Sequence, residues 1–294
     1  MSRLPPRGPG RGYELSRVRR LVEVIEEMVY FADWPARLLD GWPLQPRVSV
    51  LRHRLPLLPA GAGRQRLRLG FASDLHLGPL TPQSLLEEAF GQLALADLDV
   101  LALGGDYVSL AATEPLAARL EALVASVPAP VKVAVRGNHD LWTHHALIEA
   151  ALARGGARVL INEALRLGPP HEDVALVGLD DVWCGEPDPE RAFASAGESA
   201  LKLVVGHSPE TMALLAGRGA ALLVCGHTHG GQVATPWGPI LKHGRESDRY
   251  PSGLHRIDDL HLFVSRGLGF SDLPVRLFAP PDVAIIDLVR PNGR

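Results

Sequence analysis

The stretch around which the sequence is organised is Cys225-Gly226-His227-Thr228-His229-Gly230-Gly231-Gln232. It follows an apolar run at residues 220–224, which predicts a short buried strand. His227 and His229 are two positions apart, so their side chains point the same way if the chain is extended there. Imidazole is the commonest side-chain ligand of transition metals, and glycine permits a sharp turn. Taken alone, the stretch fits a metal-binding loop and a polar turn equally well.

The composition is that of an ordinary folded chain. Its 294 residues suit one large domain or two small ones, and a hydrophobic fraction of 46% argues against disorder. A net charge of -3 with mixed signs indicates no nucleic-acid-binding surface, so no nucleic acid partner is expected. The two cysteines, Cys184 and Cys225, are far apart and indicate no disulfide framework. With no run of ~18 apolar residues and no usual signal peptide, we expect a cytoplasmic protein.

The first 45 residues differ from the rest of the chain. Residues 1–12 are rich in Arg, Pro and Gly, and they predict a flexible basic tail. Residues 13–45 predict an amphipathic N-terminal helical segment, because apolar side chains recur at steps of three and four between charged ones. Such a helix packs on the folded domain or on a second copy, or it contacts the membrane surface through residues 13–42. The last alternative makes the protein peripheral at the inner face of the membrane.

In residues 46–294, strand-like apolar runs alternate with helical patterns. This alternation predicts an α/β domain with parallel strand pairs. The last strands lack helices between them, so we expect a mixed sheet or a second sheet. Thr81 is the expected N-cap of the first helix of this domain. The predicted strands lie at 48–58, 67–73, 100–103, 131–135, 158–161, 174–179, 201–205, 221–224, 261–265 and 283–288, and the predicted helices at 82–96, 114–126, 141–154, 189–196 and 209–216.

Clusters of polar side chains stand directly after five of the predicted strands. Ligands of α/β sheets gather at the carboxyl ends of strands. A single such cluster is often a helix cap or a turn, but five of them at strand ends indicate a common site. In chain order the clusters are Asp74-Leu75-His76, Gly104-Gly105-Asp106, Gly137-Asn138-His139-Asp140, Gly206-His207 and Gly226-His227-Thr228-His229.

Seven of these side chains match the stoichiometry of two divalent ions that share one carboxylate. Two Asp, one Asn and four His offer mixed oxygen and nitrogen donors, which favour transition metals over Mg or Ca. We therefore expect two divalent transition-metal ions, with Mn as the first choice and Fe, Zn, Co or Ni as alternatives. We expect Asp74, His76 and His229 to bind one ion and Asn138, His207 and His227 to bind the other. Asp106 would bridge the two.

The order and composition of these five clusters resemble those of the calcineurin-like metallophosphoesterase superfamily, from Asp74 to about Asp287. The resemblance implies a four-layer α-β-β-α sandwich with two mixed β-sheets and a dinuclear metal site at the strand ends. It also implies the sharing of the seven ligands given above. Two C-terminal blocks, Ser265-Arg266-Gly267-Leu268-Gly269 and Pro274-Val275-Arg276, are similar to a bacterial branch of the superfamily. That branch includes membrane-associated phosphodiesterases and UDP-2,3-diacylglucosamine pyrophosphatases.

The resemblance implies a metal-dependent hydrolase that cleaves a phosphodiester or pyrophosphate bond of a small-molecule, nucleotide-type or lipid-linked phosphate ester. A hydroxide that bridges the two metals is the expected nucleophile, because the metals lower its pKa. His139 is the candidate for protonating the leaving oxygen, and the neighbouring Asp140 for fixing the tautomer of His139. Arg266 is either a phosphate contact, because guanidinium matches phosphate geometry, or a surface arginine in a glycine loop.

Other functions are compatible with the same clusters. One is a phosphomonoesterase or a cyclic-nucleotide phosphodiesterase, because the loops that set specificity carry no readable code. Another is a non-catalytic scaffold of the same fold, which should show losses among the ligands. All seven ligand positions are intact, as are His139 and Asp140, so the sequence favours an enzyme.

Overall fold

The computed structural model of the chain describes residues 25, 28–40, 47–59, 63–240, 244–271 and 273–291. The predicted basic tail at 1–12 and most of the amphipathic segment at 13–45 lie outside these residues. The described part of that segment contains a 3-10 turn, followed by a short helix that begins at Trp34. The main-chain N–H of Ala36 donates to the carbonyl of Pro79 at 3.0 Å, which attaches this helix to the domain. No helix in the described ranges is long and apolar enough to cross a membrane.

Helices and strands alternate along most of the described chain, as the sequence predicts. The α-helices are α1 (Trp34–Leu39), α2 (Gln83–Ala94), α3 (Glu114–Ala125), α4 (Asn138–Leu141), α5 (His145–Arg154), α6 (Pro189–Ala196) and α7 (Arg245–Arg249). The 3-10 helices are Phe31–Asp33, Pro209–Leu214 and His229–Gly231. The strands are β1 (Ser49–Leu55), β2 (Arg66–Ala72), β3 (Val100–Leu103), β4 (Val131–Ala134), β5 (Arg158–Val159), β6 (Glu163–Arg166), β7 (Val174–Gly178), β8 (Leu201–Val205), β9 (Ala220–Cys225), β10 (Ala234–Thr235), β11 (Gly238–Pro239), β12 (Gly253–Ile257), β13 (Leu260–Val264) and β14 (Asp282–Val289).

Two six-stranded sheets form the body of the fold. The first has the order β1-β14-β2-β3-β4-β5, in which β2 to β5 run parallel and β14 is antiparallel to β2. The second has the order β12-β13-β9-β8-β7-β6, in which the four central strands run parallel and each edge strand is antiparallel to its neighbour. Both sheets are therefore mixed. Parallel pairing places the carboxyl ends of neighbouring strands at one edge of each sheet.

Three apolar clusters hold the layers together. Leu69 and Phe71 of β2 point into the space between the sheets, where Phe71 meets Phe263 of β13 edge-on at 6.1 Å. The outer face of the first sheet is covered by α2, α3 and α5, and that of the second sheet by α6 and the 3-10 helix Pro209–Leu214. Burial of apolar surface stabilises such layers by roughly 25 cal/mol per Å². The expected four-layer α-β-β-α sandwich with two mixed sheets is confirmed.

Some local predictions are wrong. Thr81 is not a helix cap, because its hydroxyl accepts a hydrogen bond from the N–H of Phe270 at 3.0 Å and α2 begins two residues later. The helix predicted at 141–154 is confirmed by α5 over most of its length, but α5 begins only at His145. The short helix α4 precedes it, and between the two the hydroxyl of Thr143 accepts from the N–H of Ala112 at 2.8 Å. The helix predicted at 209–216 is a 3-10 helix. The edge strands β6 and β12 were not predicted, because their half-buried sequences show no clear alternation of apolar and polar residues.

Candidate metal centre

The site lies where the carboxyl ends of β2, β3 and β4 of the first sheet meet those of β8 and β9 of the second. The loops after these strands are tightly wound, since Asp74, His76, Asp106, His227 and His229 all have φ between 44° and 71°. This conformation is uncommon for residues other than glycine, although Asp and His adopt it more readily than most. It costs up to about 1–3 kcal/mol each and persists where the surrounding contacts enforce it. Strain of this kind gathers at functional sites, and here it falls on the polar side chains that the sequence singles out.

Two glycines make room for these side chains. A Cβ atom on Gly226 would overlap Oδ2 of Asp74, and a Cβ atom on Gly137 would overlap Oδ1 of Asp106. Any other residue at either position would displace a carboxylate of the site. The glycines of the third and fifth clusters are therefore required by close approach, in addition to any turn that they permit.

The first group of converging side chains is Asp74, His76 and His229, which are all buried. Nε2 of His76 lies 3.1 Å from Nε2 of His229, and Nε2 of His229 lies 3.7 Å from Oδ1 of Asp74. Asp74 also accepts from the main-chain N–H of His227 at 3.0 Å, which joins the first cluster of the sequence to the last. Burial raises the pKa of Asp74 to about 7. Two imidazole nitrogens and a carboxylate oxygen that converge in this way form a donor set for a transition-metal ion.

The second group contains Asn138, His207 and His227. Nε2 of His207 lies 3.1 Å from Oδ1 of Asn138 and 3.2 Å from Nδ1 of His227. Nδ1 of His207 lies 2.8 Å from the carbonyl oxygen of Gly104. Because a carbonyl only accepts hydrogen bonds, the neutral ring keeps its proton on Nδ1 and leaves the lone pair on Nε2. When the ring is neutral, His207 therefore has the tautomer that binding a cation through Nε2 requires.

Asp106 lies between the two groups. Its Oδ2 is 3.7 Å from Nε2 of His76 and 3.3 Å from Nε2 of His207, and its Oδ1 accepts from the N–H of His139 at 2.8 Å. Burial raises the pKa of Asp106, but the imidazoles of His207, His139 and His76 outweigh burial and hold the pKa well below its usual range. Burial lowers the pKa of His207, but the Asp106 carboxylate raises it well above its usual value. One ionised carboxylate therefore serves both groups.

Asp140 is buried beneath this arrangement and bonds only to main-chain groups in the described ranges. Its Oδ2 accepts from the N–H groups of Asp106 and Gly137, and its Oδ1 accepts from the N–H of Tyr107, all at 2.8 Å. The prediction that Asp140 fixes the tautomer of His139 is wrong, because both carboxylate oxygens are engaged by the main chain. Asp140 instead holds the loop that carries Asp106.

The ring of His139 is oriented by a carbonyl group. Nδ1 of His139 lies 2.8 Å from the carbonyl oxygen of Ser109, so the neutral ring carries its proton on Nδ1 and leaves Nε2 for other contacts. The ring packs edge-on against His76 at 4.7 Å and lies 4.6 Å from the ring of Trp142. A ligand atom of His139 lies within 4.8 Å of one from His76 and one from Asp106. His139 therefore borders the first group and reaches the space between the groups.

Arg266 is anchored beside the site. Its Nε donates to Oδ2 of Asp282 at 2.8 Å, and its aliphatic stem lies against Gly230. Within the part of the chain that the structure describes, its Nη1 and Nη2 have no hydrogen-bond partner. A contact between Arg266 and a phosphate stays a prediction, and this geometry leaves the end of the guanidinium available for it.

Arg276 is a site neighbour that sequence reasoning named only as part of a block. Its guanidinium is buried, and Nη2 lies 3.1 Å from Nδ1 of His229. The other N–H groups donate to the carbonyls of Arg266, Gly269 and Ala279. Burial lowers the pKa of Arg276 to about 10. No local signal in the sequence distinguishes this arginine from the other arginines, because its partners are main-chain groups.

Asp181 is a second residue that sequence reasoning missed. Its carboxyl is buried, Oδ2 accepts from the N–H groups of Trp183 and Cys184 at 2.9 and 2.6 Å, and Oδ1 lacks a hydrogen-bond partner among the described residues. Burial raises the pKa of Asp181 to about 6, against an opposing effect of His207. The ring of Trp183 stacks on that of His227 at 5.5 Å. The sequence did contain a pattern that could have identified Asp181, because this residue follows β7 at the same sheet edge as the five clusters.

Comparisons with known proteins match these observations. The sequence model of the family described as calcineurin-like phosphoesterase matches residues 67–231, which include all five clusters. The chain is similar to phosphodiesterase YaeI of Escherichia coli (strain K12), with 31% identity over 258 residues that cover 85% of this chain and 89% of that protein. It is also similar to the UDP-2,3-diacylglucosamine pyrophosphatase LpxG of Chlamydia trachomatis serovar D, with 26% identity covering 82% of this chain and 88% of that protein.

A third relative is the uncharacterized metallophosphoesterase YkuE of Bacillus subtilis (strain 168), with 27% identity covering 75% of this chain and 78% of that protein. The family match extends over more than half of the chain, and these relatives match along most of their own lengths. The family implies divalent metal ions, and the structure supplies groups of side chains that can hold them. The chain therefore belongs to the calcineurin-like phosphoesterase family and is a metallophosphoesterase, a hydrolase of phosphoester bonds.

Proposed function

We propose that this chain hydrolyses a phosphodiester or pyrophosphate bond, at a site built for two divalent ions, in a lipid-linked or nucleotide-type substrate. The main observation that supports the proposal is the position of the Asp106 carboxylate between the two groups of side chains. Its Oδ2 lies 3.7 Å from a ring nitrogen of His76 and 3.3 Å from one of His207, so two donor groups share one carboxylate. Two ions that share a carboxylate are typical of enzymes that hydrolyse phosphate esters.

The residues present fit such a pair of ions. The donors are imidazole, carboxylate and amide groups, which suit Mn first, with Fe, Zn, Co and Ni as alternatives. Both groups are largely buried, and the contact between Nδ1 of His207 and the Gly104 carbonyl makes Nε2 the atom that binds a cation once the ring has lost its extra proton. In this proposal Asp74, His76 and His229 hold one ion, Asn138, His207 and His227 hold the other, and Asp106 contacts both.

The chemistry follows from the positions of the side chains. When bound, divalent ions supply a nucleophile derived from water near neutral pH and offset the negative charge of the phosphate. His139, oriented by the carbonyl of Ser109, offers Nε2 to exchange a proton with the leaving oxygen. Arg266 offers its terminal nitrogens to phosphate oxygens, and Asp140 keeps the loop of Asp106 in place. Asp140 is thus a positioning residue.

Two of the relatives support the choice of bond and substrate. One is named a phosphodiesterase and another a UDP-2,3-diacylglucosamine pyrophosphatase, whose substrate is a nucleotide linked to a lipid. A lipid-linked substrate agrees with peripheral contact of residues 13–42 with the inner face of the membrane, which we include in the proposal. The described part of that segment exposes Met28 and Leu38.

The test of the reaction is hydrolysis of bis-p-nitrophenyl phosphate by the full chain with added Mn²⁺, together with the metal content of the purified protein. Asp106→Ala and His229→Ala should each lose more than about a hundredfold in kcat/KM, because each removes a donor of the site. Asp259→Ala, at an exposed carboxyl, is the matched control. An Asp106→Ala protein that hydrolyses as fast as the parent contradicts the proposal and favours a non-catalytic scaffold.

The substrate class needs a panel measured under the same conditions. It contains simple monoesters, cyclic nucleotides, nucleotide-sugar pyrophosphates and their lipid-linked counterparts. The proposal expects the highest kcat/KM on a diester or pyrophosphate. A clear preference for monoesters or cyclic nucleotides replaces it with the alternative enzyme classes.

A further inference from the structure

Two loops next to the metal centre expose large apolar side chains. Trp237, at the tip of the β10-β11 hairpin, is 92% exposed, and Phe278 is 65% exposed. The other members are about half exposed. Together they form what we name the apolar rim: Trp237, Ile240, Leu273, Val275, Leu277 and Phe278.

Hydrogen bonds join the two loops into one unit. The N–H of Ala234 donates to the carbonyl of Leu277 at 2.8 Å, and the N–H of Leu277 donates to the carbonyl of Gln232 at 2.9 Å. The amide side chain of Gln232 holds the start of the second loop, donating to the carbonyl of Leu273 at 2.6 Å and accepting from the N–H of Ser271 at 2.9 Å. The side chains of the apolar rim therefore belong to two loops that are held together by hydrogen bonds.

This unit borders the metal centre directly. Gln232 comes three residues after His229 in the sequence. On the second loop, Val275 and Leu277 are exposed, while Arg276 between them is buried with its guanidinium 3.1 Å from the ring of His229. The loop therefore presents apolar side chains outward and touches a site residue inward.

The charge of the two loops suits an anionic surface. Residues 230–245 and 273–281 contain no Asp or Glu, and Asp272 and Glu246 directly flank them. Among their basic residues is Arg245, whose side chain is 77% exposed and whose Nε lies 3.8 Å from Oε1 of the largely buried Glu246. Basic residues near a bilayer with anionic lipids strengthen binding to it.

The shape of the apolar rim suits a lipid surface better than a protein. A stable protein interface buries about 800 Å² and 20–30 residues per partner, whereas the apolar rim has six side chains on two projecting loops. A projecting hairpin tip with a tryptophan can enter a bilayer at headgroup depth, where tryptophan is favoured.

We propose that the apolar rim inserts into the surface of a bilayer that contains anionic lipids, with Trp237 and Phe278 as the inserted side chains, and that this docking presents the phosphate of a membrane-borne substrate to the metal centre. The docking deepens the proposed function and rests on it for the identity of the substrate. The surface lies on the catalytic domain and includes none of residues 13–42.

The experiment is co-sedimentation of the full chain with vesicles of phosphatidylcholine and with vesicles in which about one third is phosphatidylglycerol. The parent should bind the anionic vesicles, and the double variant Trp237→Ser/Phe278→Ser should lose at least about tenfold in partition coefficient, because its apolar rim has no aromatic ring left to bury. Leu95→Ser is the matched control. Leu95 is 83% exposed at the opposite edge of the first sheet, just before β3, and its variant should bind like the parent.

Equal partition of the parent and the double variant overturns the proposal, as does equal binding of the parent to both kinds of vesicle. A second readout is the quenching of Trp fluorescence by brominated lipid in anionic vesicles, measured on the parent and on Trp237→Phe, which keeps an aromatic ring. The variant should be quenched less than the parent, and equal quenching of the two contradicts insertion of Trp237. A parent that forms a dimer without lipid, through the apolar rim, would assign the surface to a second copy instead. Thermal unfolding midpoints of all variants check the fold.

The proposed reaction and the proposed membrane docking can be contradicted independently of each other. Hydrolysis of water-soluble bis-p-nitrophenyl phosphate is measured on the parent without vesicles. If the chain hydrolyses this diester but does not bind vesicles, only the docking proposal is overturned. A chain that binds vesicles through the apolar rim but hydrolyses nothing overturns the proposed function.

Discussion

The carboxylate of Asp140 accepts a hydrogen bond from the main-chain N–H of Asp106 at 2.8 Å, across 34 residues of sequence. The same carboxylate accepts from the N–H groups of Tyr107 and Gly137. Asp106 has a φ of 55°, which an aspartate seldom adopts without support. Asp140 therefore stabilises the unusual backbone that points the Asp106 carboxylate at both donor groups.

Asp140→Asn should weaken metal binding. The new amide nitrogen would face a main-chain N–H, so two donors would oppose each other where a donor and an acceptor now meet. Groups that orient a metal ligand are typically worth 10–100-fold in affinity, and we expect a loss of about that size for Mn²⁺. Calorimetric titration measures it, with Asp259→Asn as an exposed control. An unchanged dissociation constant contradicts the positioning role.

Metal binding should release protons and should strengthen as the pH rises. The Asp106 carboxylate raises the pKa of His207 well above its usual value, so the metal-free chain holds a proton on His207 near neutral pH. A metal ligand must lose that proton, so affinity rises by up to about tenfold per pH unit for each proton released. Titration with Mn²⁺ in two buffers of different ionisation enthalpy counts the protons. His255→Gln, outside the site, should behave like the parent, and a pH-independent affinity would contradict the prediction.

Asp181→Asn should stabilise the metal-free protein near neutral pH. Burial raises the pKa of Asp181 from 3.8 to about 6 in the folded state. A carboxyl with a raised folded-state pKa stabilises the fold below its unfolded pKa, and that contribution is lost as the pH rises through about 6. At about pH 7.5 the ionised group therefore costs ~3 kcal/mol, which the asparagine avoids while it still accepts from the N–H of Trp183.

The measurement for Asp181→Asn is urea denaturation with a chelator present, at about pH 7.5 and about pH 4. The free energy of unfolding should exceed that of the parent at the higher pH, and the difference should shrink toward zero at the lower pH. Asp259→Asn is the control for loss of an exposed carboxyl and should change little at either pH. A variant less stable than the parent at the higher pH would refute the electrostatic account.

Arg276→Met should destabilise the fold around His229. The guanidinium donates to the carbonyls of Arg266, Gly269 and Ala279, and these buried acceptors would lose their partner. Each buried group left unsatisfied costs about 1–3 kcal/mol, so we expect a loss of at least ~2 kcal/mol in the free energy of unfolding. Arg191→Met, at an exposed position on α6, should be nearly neutral. Equal stability of the two variants would contradict the inferred role of Arg276.

The placement of the five clusters at one site could be predicted from the sequence, because parallel strands end at the same sheet edge and apolar periodicity locates those ends within a residue or two. The same rule applies after β7 and could have found Asp181. The pairing of His139 with Asp140 could not be predicted correctly. Both lie on α4, where consecutive side chains point about 100° apart and do not face each other. They therefore meet different partners.

By itself the sequence determined the chemistry of the donor set and its position at the strand ends, because both depend on residue type and local periodicity. Only the tertiary structure decided which atoms meet. Asp106 lies between His76 and His207, and Arg276 lies beside His229, because two sheets pack face to face and bring loops from distant parts of the chain to one edge. Contacts of this kind depend on the packing of whole layers, and no local pattern encodes them.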